Sequence, residues 1–179
     1  MDKNIPQFTT NPTENAKDIA IFIIRKYRSL TNEDISKEKL QTLLYLCVRD
    51  VFYVTKNQVI EESFELRNRN EIKLSTSLPP MQILKRMKPI INNNRVKTII
   101  DRVLPNYVEI ENWKLKKTIV NTYRSFNPIP PEKLIELAKA KANGKNITFP
   151  TRKITLEEMW KDANEHKPYD SFFNCYFDE

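Results

Sequence analysis

At 179 residues, 40% of them hydrophobic and 10% aromatic, the chain is long enough for one domain with its own core and needs no disulfide or metal staple. Its single glycine, Gly144, excludes G-x-G-x-x-G and Walker-type loops, in which several Cα atoms must be bare for backbone to reach phosphate. The formal charge of +7 is uneven: residues 51–150 hold 18 Lys/Arg against 9 Asp/Glu, and residues 151–179 hold 4 against 7, so an acidic partner, a nucleic acid or the chain's own end would be drawn to the basic body.

Residues 1–12 read as a flexible N-terminal arm. Asn11-Pro12-Thr13-Glu14 has the form of a helix start, with Asn11 as cap, Pro12 at the first helical position and Glu14 three residues on. Ala16, Ile19, Ala20, Ile23, Tyr27 and Leu30 then recur at helical spacing. Thr31-Asn32-Glu33-Asp34 is a polar turn, and Ser36 caps a second helix that is apolar nearly all round from Leu43 to Val54. Such a helix is expected to be central and buried.

Val59 to Arg67 is strand-like, and Ile72 and Leu74 alternate with polar neighbours, which predicts a small antiparallel hairpin broken at Asn68-Arg69-Asn70. Ser77-Leu78-Pro79-Pro80 opens a third helix bearing Met81, Leu84 and Met87, which Pro89 interrupts. Val96, Ile99, Ile100, Val103 and Leu104 make a fourth, expected to stop before Pro105. A fifth spans roughly residues 109–125, with Ile110, Trp113, Val120 and Tyr123 as its apolar set. Asn127-Pro128-Ile129-Pro130-Pro131 is read as a helix-initiating connector in preference to a PxxP ligand, because a helix from Glu132 to Asn143 follows at once and ends on Gly144. Thr155 to Glu158 is a capping box for a last helix reaching His166. The expectation is one mainly α domain over residues 13–166, a bundle of about six to seven helices with a small antiparallel β-hairpin, followed by a tail over 167–179.

The stretch Ile35-Ser36-Lys37-Glu38-Lys39-Leu40-Gln41-Thr42-Leu43-Leu44-Tyr45 resembles the motif "lkLqKLLYya" of the Panacea or SocA-like antitoxin domain, a phage-associated family. Ile19-Ala20-Ile21-Phe22-Ile23-Ile24 is similar to its upstream "vA.yIl" helix, and Asn57 to Glu65 to its "g.pLf.e.Fea" segment, so the resemblance covers about residues 16–67. The family's "GPV" is replaced by Asn68-Arg69-Asn70-Glu71, its motif lysine by Thr42, and its C-terminal "W..A" segment has no counterpart. The resemblance implies a non-catalytic protein that binds and neutralises a toxin encoded nearby or delivers it for proteolysis, with no cofactor. Leu40, Leu43, Leu44, Tyr45 and Phe64, which carry the match, are equally explained as core.

Four groups of residues are candidates for chemistry or contact. Glu158, Asp162, Glu165 and His166 share a helical face and would suit a divalent metal, against a reading in which the three carboxylates are solvated and His166 pairs with Asp162 at the helix end. His166 is the only histidine, so any Ser-His or Cys-His chemistry must use it, and neither Cys47 in the apolar helix nor Cys175 in the tail sits in an evident electropositive setting. Lys85, Arg86, Lys88, Arg95, Lys97 and Arg102, with the Asn92-Asn93-Asn94 amides before them, are the candidates for nucleic-acid or acidic-partner contact. A second set, Trp113, Lys114, Lys116, Lys117, Tyr123 and Arg124, interleaves aromatics with cations as single-strand binders do. In the tail Phe172, Phe173, Tyr176 and Phe177, with Tyr169, form an aromatic set expected to dock onto the domain or a partner.

The sequence therefore predicts a protein-binding protein of antitoxin or adaptor type. A phage or mobile-element nucleic-acid-binding regulator is the alternative, and a small hydrolase the third. No metal, no cofactor and no membrane partner are expected, and without a C-x-x-C pair or an apolar leader the expected setting is cytoplasmic.

Overall fold

A computed structural model of the chain describes residues 5–67, 71–126, 131–145 and 151–166. Among them are seven helices and three short strands: α1 Ala16–Thr31, α2 Lys37–Thr55, β1 Phe64–Arg67, β2 Glu71–Leu74, α3 Met81–Leu84, α4 Asn94–Tyr107, α5 Asn112–Phe126, α6 Pro131–Ala142, β3 Arg152–Lys153 and α7 Leu156–Glu165. The protein is mainly α, with a three-stranded antiparallel sheet in the order β2-β1-β3. No described helix is long and apolar enough to cross a membrane.

α2 is the axis of the molecule. Every side chain from Leu40 to Phe52 is buried, and α1, α4, α5, α7 and β2 all pack against it. Its start is set as expected: the Ser36 hydroxyl accepts the Lys39 amide at 3.1 Å, leaving one fewer orphan donor in the first turn. Leu40, Leu43, Leu44, Tyr45 and Phe64 all lie in the core. Gln41, also buried, accepts the Leu74 amide at 3.0 Å and so fixes the hairpin against α2.

The hairpin runs in register Phe64↔Leu74 to Arg67↔Glu71, which turns Phe64, Leu66, Ile72 and Leu74 to the core. β1 is shorter than the expected strand, because Val59 and Ile60 leave the sheet and Ile60 instead bridges Glu14. β3, unforeseen in the sequence, pairs Glu65↔Lys153 and Leu66↔Arg152 on the other edge of β1. With two residues it is too short for an alternation pattern to mark it.

Several expectations are corrected. The cap of α1 is Asn15, whose side chain accepts the Asp18 amide at 2.9 Å, and Asn11 lies outside the helix. Leu30, placed by spacing on the apolar face, is exposed. The N-terminal segment is not loose from residue 8 onward. Thr9 exchanges backbone hydrogen bonds with Lys56 and Gln58 at 2.9 Å each, and the Phe8 ring packs on Phe52 at 4.7 Å between centroids. α3 is a single turn, since it falls between Pro79-Pro80 and Pro89. α4 continues through Pro105 to Tyr107. That proline removes only one hydrogen bond, while Val103, Leu104 and Tyr107 stay buried and hold the last turn in place. The connector 127–130 and the tail 167–179, with its docking residues, lie outside the described residues.

The two later helix ends follow the expected chemistry. Gly144 takes φ +74° after α6, and its amide reaches Lys141 O while the Lys145 amide reaches Ala140 O, the paired bonds of a Schellman end. Thr155 and Glu158 form a reciprocal capping box at α7. Glu158 is also gripped by Arg152 of β3 at 2.7 and 2.8 Å, which ties the sheet edge to the start of α7.

Candidate functional site

Midway along α2 the apolar run is broken by Arg49 and Asp50, both almost fully enclosed. An isolated buried charge is prohibitively unfavourable, so each must find partners inside the protein. Arg49 Nε and Nη2 both reach Asp50 Oδ1, at 3.0 and 2.9 Å. Its Nη1 donates to Asp162 Oδ2 of α7 at 3.2 Å, and Nη2 also donates to the Tyr107 hydroxyl of α4 at 3.2 Å. The Tyr107 hydroxyl donates in turn to Asp50 Oδ2.

A second chain of hydroxyls converges on the same carboxylate. Tyr45 donates to Asp162 Oδ2 at 2.6 Å, which leaves Tyr123 of α5 as the donor in its hydrogen bond to Tyr45. At the end of α7 the Thr122 hydroxyl gives its proton to Thr118 O, so the Nδ1–H of His166 is shared between Thr122 Oγ1 at 3.1 Å and Asp162 Oδ1 at 3.3 Å. That tautomer is assigned from the network. One arginine, two aspartates, three tyrosines and the histidine thus join α2, α4, α5 and α7 through a single polar cluster.

Burial and charge pull the titrations in opposite directions here. Burial works against the Arg49 charge, but Asp50 and Asp162 outweigh it and hold the guanidinium firmly protonated. Burial likewise opposes ionisation of Asp162, yet Arg49, His166 and Tyr45 overcome it and leave its pKa below the ordinary carboxylate value. Asp50 goes the other way: burial raises its pKa, and Arg49 and Tyr107 only partly offset this. Asp162, with three kinds of partner, is the stronger acid of the two. Burial pushes Tyr45, Tyr107 and Tyr123 well above the usual phenol range, with a neighbouring aspartate adding to each shift. The hydrogen bond to Asp162 raises the pKa of His166 against a smaller opposing effect of burial.

The cluster opens on one side to a pocket of about 560 Å³ between α2, α4, α5 and α7. Arg49, Tyr107 and His166 line it together with Leu46, Ile110, Leu115 and Ile119. A buried aspartate holding a histidine Nδ1 is the arrangement that orients an imidazole as a base, but among the described residues no cysteine or serine lines this pocket, and the hydroxyl of its threonine, Thr118, is given to the Lys114 carbonyl. Cys47 is enclosed in α2 and burial raises its pKa well above the usual thiol value, while Cys175 lies outside the described residues.

The four residues proposed to share a metal face are put to separate uses. Glu158 is held by Arg152 and the Thr155 cap, Asp162 is fully buried against Arg49 and Tyr45, and Glu165 is exposed. The solvated reading is corrected for Asp162, whose relative exposure is 0%, while the Asp162–His166 pair is present. Among the described residues no group of three or more His, Cys, Asp or Glu side chains is placed to hold a metal.

Lys85, Arg86, Lys88, Arg95, Lys97 and Arg102 are all exposed around α3 and α4. Lys85 lies 3.4 Å from Asp34, and the amides of Asn92 and Asn93 are bound by the Glu14 carboxylate at 2.5 and 3.1 Å. That anion position is therefore filled from within the chain. The second basic set is divided: Tyr123 is buried in the cluster, while Trp113 is 56% exposed and donates its Nε1–H to Glu111.

Sequence reasoning missed Arg49, Asp50 and Tyr107 as a unit. The signal was there, since an Arg-Asp pair inside a run of enclosed positions demands buried partners. Which residues answer that demand is decided by α4 and α7, far away in sequence. Comparison of the chain with protein-family models, curated proteins and solved structures gives no match.

Proposed function

We propose that this chain is a non-catalytic protein-binding protein of antitoxin or adaptor type, and that α6 is its contact element. The observation that carries the reading is the state of that helix. None of its residues is buried, and Leu134 and Ile135 are 44% and 57% exposed. With Ala138 and Ala142, also exposed, they form one stripe at helical spacing, flanked by Lys139 and Lys141. Leu137 and Ala140 are half-buried on the other side. An apolar stripe with small residues and a cationic border suits an apolar groove rimmed by carboxylates on a protein partner.

The buried cluster supports the same reading, because its charged groups are already paired with one another inside the scaffold. The resemblance of residues 16–67 to SocA-like antitoxins makes a toxin encoded nearby the first partner to test. The experiment is co-purification with the products of neighbouring genes, scored also by rescue of growth when those products are expressed. The pair Leu134→Gln and Ile135→Gln is expected to weaken the captured complex more than tenfold and to abolish rescue. Unchanged affinity would remove α6 from the account.

The second reading, a nucleic-acid-binding regulator, is favoured by one observation: the six cations around α3 and α4 are all exposed. Its expected outcome is DNA or heparin retention that falls steeply as salt rises from about 50 to 200 mM. Retention indifferent to salt would dismiss a phosphate-driven role.

A further inference from the structure

The pocket beside the buried cluster carries a second inference. Its lining is apolar at Leu46, Ile110, Leu115 and Ile119 and charged at Lys114 and Glu165, and it includes His166, the residue that caps α7 and the last one described. Thirteen residues follow His166 and lie outside the described residues. Their composition matches the pocket: five aromatics, at Tyr169, Phe172, Phe173, Tyr176 and Phe177, and three carboxylates, at Asp170, Asp178 and Glu179, against the single Lys167.

We propose that this pocket is the seat of the chain's own C-terminal segment, residues 167–179, with aromatic side chains between α2, α4 and α5 and the acidic end toward Lys114. Reach is no obstacle. Phe172 stands six residues beyond His166, and an extended chain covers roughly 20 Å over that distance. The tether also supplies an effective concentration on the order of millimolar, so a weak contact suffices. The cavity, at about 560 Å³, is within the size range of ligand pockets, which are lined mostly by apolar side chains with a few polar groups at fixed positions. Polar groups on the lining here include Arg49 and Tyr107, fixed by their bonds within the cluster, and the more exposed Lys114 and Glu165. A protein partner that offers an aromatic, acidic segment would compete for the same seat, which makes the pocket a control point separate from α6.

The native Cys175 provides the test, because the other cysteine, Cys47, is buried. Thr118 is exposed, lines the pocket and gives its hydroxyl to the Lys114 carbonyl of its own helix. Thr98 of α4 is exposed in the same local setting and does not line the pocket. In the full chain, Thr118→Cys is expected to form an intramolecular disulfide with Cys175 under diamide at least about tenfold faster than Thr98→Cys, read by mass spectrometry of peptides. Equal rates overturn the proposal. The advantage must also disappear when Phe172→Ser and Phe173→Ser are added to Thr118→Cys. If it persists, the tether alone explains the bond and the aromatic seat is refuted.

Discussion

At the residue scale Arg49 is the side chain on which the interior depends most. It separates two buried carboxylates and has hydrogen bonds to both as well as to Tyr107. Replacing it with methionine fills the volume but leaves Asp50 and Asp162 facing each other without a cation. Breaking a buried pair in this way typically costs about 3–5 kcal/mol. Arg49→Met is expected to lose stability in that range by urea unfolding, and a loss below about 1 kcal/mol would show that the carboxylates find other partners. His166 gives a pH signature. Its folded pKa is raised by Asp162, so its contribution is complete below the unfolded value of about 6.5 and is lost as pH rises through the folded value. Asp162 from the same helix and Arg49 from α2 set this titration. Unfolding free energy is therefore expected to decline across that window in the wild type and to be flatter in His166→Gln. Parallel profiles for the two proteins would mean that the Asp162 contact is not formed in solution.

At the element scale, local signals and tertiary demands contribute in different proportions. The caps of α2 and α7 and the glycine end of α6 could be read directly, because Ser36, Thr155 with Glu158, and Gly144 act within a few residues of themselves. Thr155→Ala should cost about 1 kcal/mol, the usual value of an N-cap, seen as a small fall in Tm. A fall of several times that size would implicate the Arg152–Glu158 tie between β3 and α7 as well. α1 is capped by Asn15 and not by the expected Asn11, although residues suited to a helix start follow both. Glu14 decided between the two by bonding to the amides before α4 instead of to a cap. α4 passes through Pro105 for a related reason: its packing on α2 outweighs one missing donor. α6 shows the opposite imbalance. Its sequence makes a well-ended helix, yet nothing among the described residues covers its apolar stripe.

For the whole molecule, one buried helix organises everything around it. α2 gathers α1, α4, α5, α7 and the hairpin, and the polar cluster stitches it to α4, α5 and α7 where apolar packing alone would leave their relative positions loosely specified. On the described surface, exposed cations surround α3 and α4, a pocket opens at the end of α7, and no described residue covers the apolar stripe of α6. The sequence by itself determined the helical class, the interior position of α2, the hairpin and most helix ends, because periodicity and capping act over a turn or a strand. It also contained the requirement that Arg49 and Asp50 be satisfied. Only the tertiary structure decided that Tyr107 and Asp162 meet that requirement, that Arg152 adds a third strand, and that a pocket opens beside His166. Those outcomes depend on contacts between residues from about 60 to more than 110 positions apart, for which no local pattern carries the information.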